Sequence, residues 1–216
     1  MKVSLIGASG FVGSSILKEL TDRGHEVVAI ARDAQKVNAG QGSVTLKSVD
    51  VSDVDALASA MEGTDAVISA YNAGWTNPNI YDDFIAGSKA IQEGVKKSGV
   101  KRLIVIGGAG SLFIDGKQLV DGPDFPAEIK PGATAARDYL DILKSEKDLQ
   151  WTFFSPAIEM HQGITTGRTG HYRLGTESPV FNEEGRAILS VEDLALVIVD
   201  ELENHKYPQQ RFTAAY

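Results

Sequence analysis

No cysteine occurs anywhere in the chain. That absence removes disulfides, thiolate metal sites, iron–sulfur clusters and cysteine nucleophiles together, and it fits a reducing compartment. Basic residues are also in deficit: 21 Lys and Arg face 29 Asp and Glu, a net charge of −8. Phosphate-backbone binding needs a basic footprint, so nucleic acid is not an expected partner. No apolar run approaches the roughly 20 residues that span a bilayer. Met1-Lys2-Val3-Ser4-Leu5-Ile6 passes straight into a glycine-rich turn, without the charged and then apolar regions of a signal peptide. There is no Asn-x-Ser/Thr acceptor, no His-Glu-x-x-His pair for a metal and no Gly-x-x-x-x-Gly-Lys-Ser/Thr loop for ATP. Ser9 is not the nucleophile of a Gly-x-Ser-x-Gly elbow, because position 11 is Phe. Glycine and proline, 22 and 7 of 216 residues, are too few and too aperiodic for a fibrous or low-complexity chain. The expectation is a cytoplasmic protein that binds a small molecule, as a monomer or homodimer, with no metal and no membrane partner.

What is present alternates. Short β-branched runs at Val3–Ile6, Val27–Ala31, Val44–Val49, Ala66–Ala70, Leu103–Ile106 and Trp151–Ser155 read as strands, the first of them buried. Between or after them, Phe11–Arg23, a stretch capped by Ser52, Tyr81–Ser98, Ala133–Glu146 and Val191–Glu203 read as helices, with Gly24 and Gly99 as stops. Strand then helix, repeated, predicts an α/β fold: a doubly wound parallel sheet, one Rossmann domain over 1–216. The predicted strand order is 3-2-1-4-5-6, with a short final strand, Arg211–Ala214, at the edge. Two stretches interrupt the rhythm, Gly107–Gly132 and Ala157–Leu189. Both follow strand C-terminal ends, where open α/β sheets bind ligands, so 157–189 is read as an inserted substrate region.

The strongest motif is Gly7-Ala8-Ser9-Gly10-Phe11-Val12-Gly13, between the first strand and the first helix. Gly7 permits a sharp turn, Gly10 permits close approach of a pyrophosphate, and Gly13 permits helix–strand packing. The helix N-terminus offers free N–H groups to the anion. The second strand ends in Arg32, sharing parity with Val28 and Ile30, in the slot where an NAD-selective site places a carboxylate. A guanidinium there suits a 2′-phosphate, so NADP(H) is favoured over NAD(H); the alternative is a solvated strand-end charge. Asp33 follows one position late. Asp50 and Val51 stand where adenine would lie, or simply form a turn into the next helix. Ala70 and Tyr71 fall beside the ribose and pyrophosphate. Gly107, Gly108 and Ala109, followed by Gly110 and Ser111, reach toward the nicotinamide, with Ser155 and Pro156 opposite.

Taken in order, Gly7–Gly13, Ala31-Arg32-Asp33, Asp50-Val51, Gly107–Ser111, Phe154-Ser155-Pro156-Ala157, Arg168-Thr169-Gly170, Ser190-Val191-Glu192-Asp193 and Arg211-Phe212-Thr213 span nearly the whole chain. In this the chain resembles the atypical short-chain dehydrogenase/reductases, specifically the small NmrA-like NAD(P)H-binding proteins, whose bacterial members are often described as NADH-flavin reductases or NAD-dependent epimerase/dehydratases. The resemblance implies a dinucleotide gripped by the first five strand ends and a small substrate region built from Ala157–Leu189.

One departure governs mechanism. Most dehydrogenases of the superfamily carry Tyr-x-x-x-Lys on one helix, the ammonium lowering the tyrosine pKa. Here Tyr139 is followed by Leu143 at the fourth position and Lys144 at the fifth. A fifth-residue offset turns Lys144 about 140° away on an ideal helix. Tyr139 either faces the cleft alone or packs its helix. Ser111 is either a donor to a substrate carbonyl or a loop-capping hydroxyl. His161 and His171 lie in the substrate region as possible proton relays, whereas His25 and His205, at helix ends, read as solvated. Two classes of function fit: a reductase passing hydride to a flat acceptor such as a flavin or quinone, which needs no strong tyrosine acid, and a non-catalytic dinucleotide redox sensor. A sugar-nucleotide epimerase or dehydratase fits less well, because those enzymes use the missing pair and a longer substrate domain.

Overall fold

The computed structural model describes residues 1–216. Its elements run β1 (Lys2–Ile6), α1 (Phe11–Asp22), β2 (Glu26–Ala31), β3 (Val44–Ser48), α2 (Val54–Met61), β4 (Ala66–Ser69), α3 (Ile80–Ser98) and β5 (Arg102–Ile106). They continue with a small hairpin of β6 (Phe113–Ile114) and β7 (Lys117–Gln118), then α4 (Lys130–Leu143), β8 (Gln150–Ser155), β9 (Arg173–Gly175), α5 (Val191–Asn204) and β10 (Gln210–Ala215). Eight strands form one sheet in the order β3-β2-β1-β4-β5-β8-β10-β9. All pairings are parallel except β10 with β9. The predicted doubly wound order is therefore present.

The last strand is not at the edge, as the sequence suggested. β10 lies between β8 and β9, and the antiparallel β9, from the 157–189 stretch, closes the sheet. Arg173-Leu174-Gly175 is too short and too exposed to announce a strand. Asp53, not Ser52, caps α2, its carboxylate accepting from the Ala56 N–H. Helix α4 starts three residues earlier than the apolar pattern, because Pro131 suits a first helical turn, where its missing N–H is not needed.

The central strands read as near-continuous apolar runs because both faces of the sheet are covered there, whereas the edge strand β3 is largely exposed. Val3, Leu5, Val27, Ile104, Phe154 and Phe212 pack against α1 and α5. Ile6, Val28, Val67, Leu103, Val105 and Phe153 point the other way, against α2, α3 and α4. Phe153, Phe154 and Phe212 are fully buried, and each such burial contributes about 1.5–3 kcal/mol. No helix is long and apolar enough to cross a membrane.

Candidate functional site

Parallel register brings the motif-bearing strand ends into one line. Ile6 pairs with Ile30, Ala31 with Ser48, Ile6 with Ser69, Ser69 with Val105, and Ile106 with Phe154. The Gly7 turn, Arg32, Asp50 and Val51, Ala70 and Tyr71, the Gly107–Ser111 turn, and Ser155 with Pro156 thus stand along the C-terminal edge of six adjacent strands.

The three glycines of the first turn have different reasons to be glycine. Gly7 has φ +79°, and a Cβ there would come within 2.6 Å of the Ala70 carbonyl oxygen. At Gly13 a Cβ would overlap the Gly7 carbonyl. Both glycines are demanded by the crossing of α1 over β1 and β4. Gly10 is not: its φ of −80° suits any residue, and a Cβ would make one ordinary contact, 3.4 Å from the Gly7 carbonyl oxygen. Neither its backbone angles nor a neighbour requires a glycine there. Gly10 is also the N-cap of α1, where no side chain accepts from the helix and no acid occupies the first turn. Ser9, Gly10 and Phe11 are exposed and Val12 half-buried around this uncapped end. Free N–H groups and the positive end of the helix dipole face solvent there, the arrangement that holds an anion.

At the adjoining strand ends, Arg32 is exposed and forms no ion pair within the chain. Asp33, one position past the Arg32 slot, is drawn into its own turn: its carboxylate accepts from the Gln35 N–H at 3.1 Å and faces Lys36. Asp50 accepts from the Ser52 backbone and hydroxyl, at 2.9 and 2.8 Å. These bonds, led by the backbone one and aided by the nearby Arg32 charge, hold its carboxyl below its ordinary value. Tyr71 is half-buried, donates to the Asp83 carbonyl at 3.0 Å and stacks on Phe84. Burial and then Asp83 raise its pKa, against the pull of Arg32.

At the other end of the line, Gly107 must lack a Cβ because the Phe153 ring lies against it. Gly108 resembles Gly10, with only an ordinary 3.6 Å approach to the Ala136 methyl. Ser111 is buried, and its hydroxyl meets Ser155 at 3.1 Å. Tyr139 faces the packing between α3 and α4: it is 1% exposed, and its hydroxyl reaches Gln92 at 3.3 Å. Burial, with a contribution from Glu146, pushes its pKa well above the ordinary tyrosine value. Lys144 is turned to Asp141, so the Tyr–Lys pair is absent in space as well as in spacing. His161 is exposed, accepting from Gly163 in a local turn, and His171 is exposed beside Thr169. His205 is the exposed αL cap of α5. His25 departs from the expectation of a solvated residue: it is buried, between the Met1 amino group at 3.2 Å and Glu203 at 2.8 Å.

The motifs Arg168-Thr169-Gly170 and Ser190–Asp193 meet as one clamp. Asp193, fully buried at the start of α5, accepts from the Thr169 N–H and hydroxyl, the Gly170 N–H and the Tyr216 hydroxyl. Burial works to raise its pKa, but these bonds prevail and hold it below the ordinary value. Arg168 grips Glu19 of α1 through two bonds of 2.9 Å. The 157–189 segment is thereby pinned across α1 and α5. Sequence reasoning gave none of these residues a role, nor Arg211, whose guanidinium meets both Ser111 and Ser155. A charge in the interior of an apolar strand was the available signal for Arg211.

Comparison with known proteins places the chain in a family. The chain is 36% identical to YwnB, an uncharacterised protein of Bacillus subtilis, over 99% of this chain and 97% of that one. A solved candidate epimerase from Bacteroides thetaiotaomicron is 45% identical with a TM-score of 0.90, covering 100% of this chain and 96% of its own. A candidate NADH-flavin reductase from Streptococcus pneumoniae is 36% identical with a TM-score of 0.86, covering 100% and 99%. The match to the NAD(P)H-binding family extends over residues 7–205. With the glycine turn, the doubly wound sheet and the line of strand ends, this makes the chain a member of the NAD(P)H-binding family, of the atypical short-chain dehydrogenase/reductase type.

Proposed function

We propose that the protein is an NADPH-dependent reductase of a small flat acceptor such as a flavin or quinone. The observation that carries the dinucleotide is Gly10: a glycine that neither a positive φ nor a close neighbour requires, capping a helix whose N-terminus no side chain in the chain fills. A pyrophosphate fits that cradle, held by the first N–H groups of α1. Arg32, with its competing neighbour Asp33 already engaged, is free to take a 2′-phosphate through charge-assisted bonds. Asp50 and Val51 flank the adenine, and Tyr71 walls the ribose. Bound in this way, the dinucleotide supplies hydride chemistry at the Gly107–Ser111 turn.

The chain's own residues bear on the acceptor. Tyr139 is buried and lacks a lysine, so it gives no proton to a substrate. Acceptors that take hydride without a strong protein acid suit such a site, whereas sugar-nucleotide epimerisation does not. The pinned 157–189 segment borders the far end of the line through Ala157 and forms the acceptor wall.

The test is titration of NADPH and NADH, followed by NADPH oxidation with FMN, FAD and small quinones. Tighter binding of NADPH and saturable turnover on one of these acceptors are expected. Tighter NADH binding overturns the cofactor assignment. Tight NADPH binding with no turnover on any of these acceptors overturns the reductase reading in favour of a redox sensor.

A further inference from the structure

Two arginines are buried inside the sheet, Arg102 at 3% and Arg211 at 5% exposure. Each leaves its Nε without a partner. Their carboxylates differ. Arg102 pairs with Glu201 of α5, whose side chain is 2% exposed, a fixed pair within the core. Arg211 pairs with Glu177, whose side chain is 64% exposed and belongs to the 157–189 segment. Burying a guanidinium costs several kcal/mol before its partners compensate, so a partner on a surface segment is an unusual choice for holding a core together.

The remaining bonds of Arg211 lead to the turn after β5. One guanidinium nitrogen, Nη1, donates to the Ser111 hydroxyl oxygen at 3.0 Å and to that of Ser155 at 3.3 Å. With lone pairs of both oxygens occupied, the hydroxyl protons are left to order themselves. Ser155 lies 3.1 Å from Ser111, and Ser111 lies 3.4 Å from the Gly108 carbonyl. Ser155 donating to Ser111, and Ser111 to Gly108, uses both protons and ends on the peptide of Gly108. Gly108, like Gly10, is a glycine that neither a positive φ nor a close neighbour requires. Glu177 closes the circuit: its main-chain carbonyl accepts from the Phe113 N–H at 2.8 Å, just past the same turn, and the Phe113 ring lies over the guanidinium.

We propose that Arg211 is a positioning residue that sets the Gly108 peptide at the nicotinamide end of the cleft through Ser155 and Ser111, with Glu177 coupling that setting to the 157–189 segment. This rests on the reading that the Gly107–Ser111 turn faces the nicotinamide.

The experiment uses Arg211→Met, Arg211→Lys and Glu177→Gln in the full chain, with two readouts besides turnover. One is affinity for ADP-ribose, with or without a 2′-phosphate to match the preferred dinucleotide, because this probe lacks the nicotinamide. The other is the fluorescence of bound reduced dinucleotide, which reports the nicotinamide's surroundings. Expected are ADP-ribose affinities within about twofold of the parent, a changed nicotinamide emission in Arg211→Met, and a kcat lowered about thirtyfold, the scale of a small misplacement of reacting groups. Arg211→Lys should recover most of the kcat, and Glu177→Gln should raise KM for the acceptor more than it lowers kcat. A proportional loss of ADP-ribose affinity, unchanged emission and kcat in Arg211→Met, or no recovery with lysine overturns the proposal. If Arg211→Met fails to fold, Glu177→Gln decides, and unchanged emission with unchanged KM overturns it. If the parent reduces no acceptor, the reductase reading fails, while the emission still tests Arg211.

Discussion

Helices α1 and α5 lie side by side on one face of the sheet, and their N-termini are finished in opposite ways. The N-terminus of α5 is filled by the chain itself: Ser190 accepts from the Asp193 N–H, Glu192 and Asp193 occupy its first turn, and Tyr216 bonds both Ser190 and Asp193. The N-terminus of α1 has a glycine cap, no capping side chain and no acid. Helix ends leave four N–H groups without partners inside the helix. One helix therefore has its cap filled by Ser190 and its acidic first turn tied to a segment of its own chain, and the other leaves its N–H groups open for the ligand proposed above. Residues at the first end should govern stability, and residues at the second should govern binding.

The widest separation is expected at the glycines. Gly10→Val should weaken dinucleotide binding by about 100-fold or more, equivalent to roughly 2.8 kcal/mol. Its melting temperature should remain near the parent's, because the added Cβ meets only the Gly7 carbonyl oxygen, at 3.4 Å. Gly13→Val, three residues on, should prevent folding, since its Cβ would overlap that same carbonyl. Calorimetry and dinucleotide titration on both variants check this pair.

Asp193→Asn should show the converse, a loss of about 3 kcal/mol as buried donors lose an ionised acceptor. That corresponds to a fall in melting temperature of about 6–12 °C for a chain of this size, with dinucleotide affinity nearly unchanged. The carboxyl's folded-state pKa lies below its ordinary value. Its stabilisation is therefore fully present above about pH 4 and is lost as pH falls through the folded value. Thermal melts from pH 7 downward should show parent and variant converging only in acid.

Arg32→Ala should reduce the preference for NADPH over NADH by about 1–3 kcal/mol, roughly 5- to 150-fold, without destabilising the fold. The smallest effect is expected at Tyr139→Phe. It removes a 3.3 Å bond to Gln92, worth about 1 kcal/mol of stability. Turnover should fall far less than the 10²–10⁴-fold that follows loss of a general acid. A thousandfold loss in a folded variant would restore Tyr139 as an acid.

The parallel sheet was legible because its strands are apolar on both faces and each crossover opens with turn residues. Gly7–Gly13 was legible because a turn that crowds backbone against backbone admits few other residues. Spacing alone separated the three glycines into a turn, an open approach and a packing contact; it could not name the atoms that enforce them, the Ala70 carbonyl of the neighbouring β4 end at Gly7 and the Gly7 carbonyl of the same turn at Gly13. Asp33 was ambiguous for a similar reason: its partners are two and three residues away, but whether it turns to them is a matter of backbone angle. Arg211 and Glu177 are 34 positions apart, and nothing local marks them as partners. The clamp at Asp193 joins residues 23 and 24 positions away, so its two motifs read as separate signatures with no visible task.

Strand β9 has a single partner in the sheet, β10. It therefore reaches the sheet only through β10, whose pairing with β8 closes a loop of more than fifty residues, as Gln210 meets Thr152. Non-local pairings of this kind form slowly because loop entropy must be overcome before contacts compensate it. The six strand ends proposed to receive the dinucleotide can be in place beforehand. The topology therefore allows an order in which the proposed nucleotide platform forms first and the proposed acceptor wall is fitted to it afterwards.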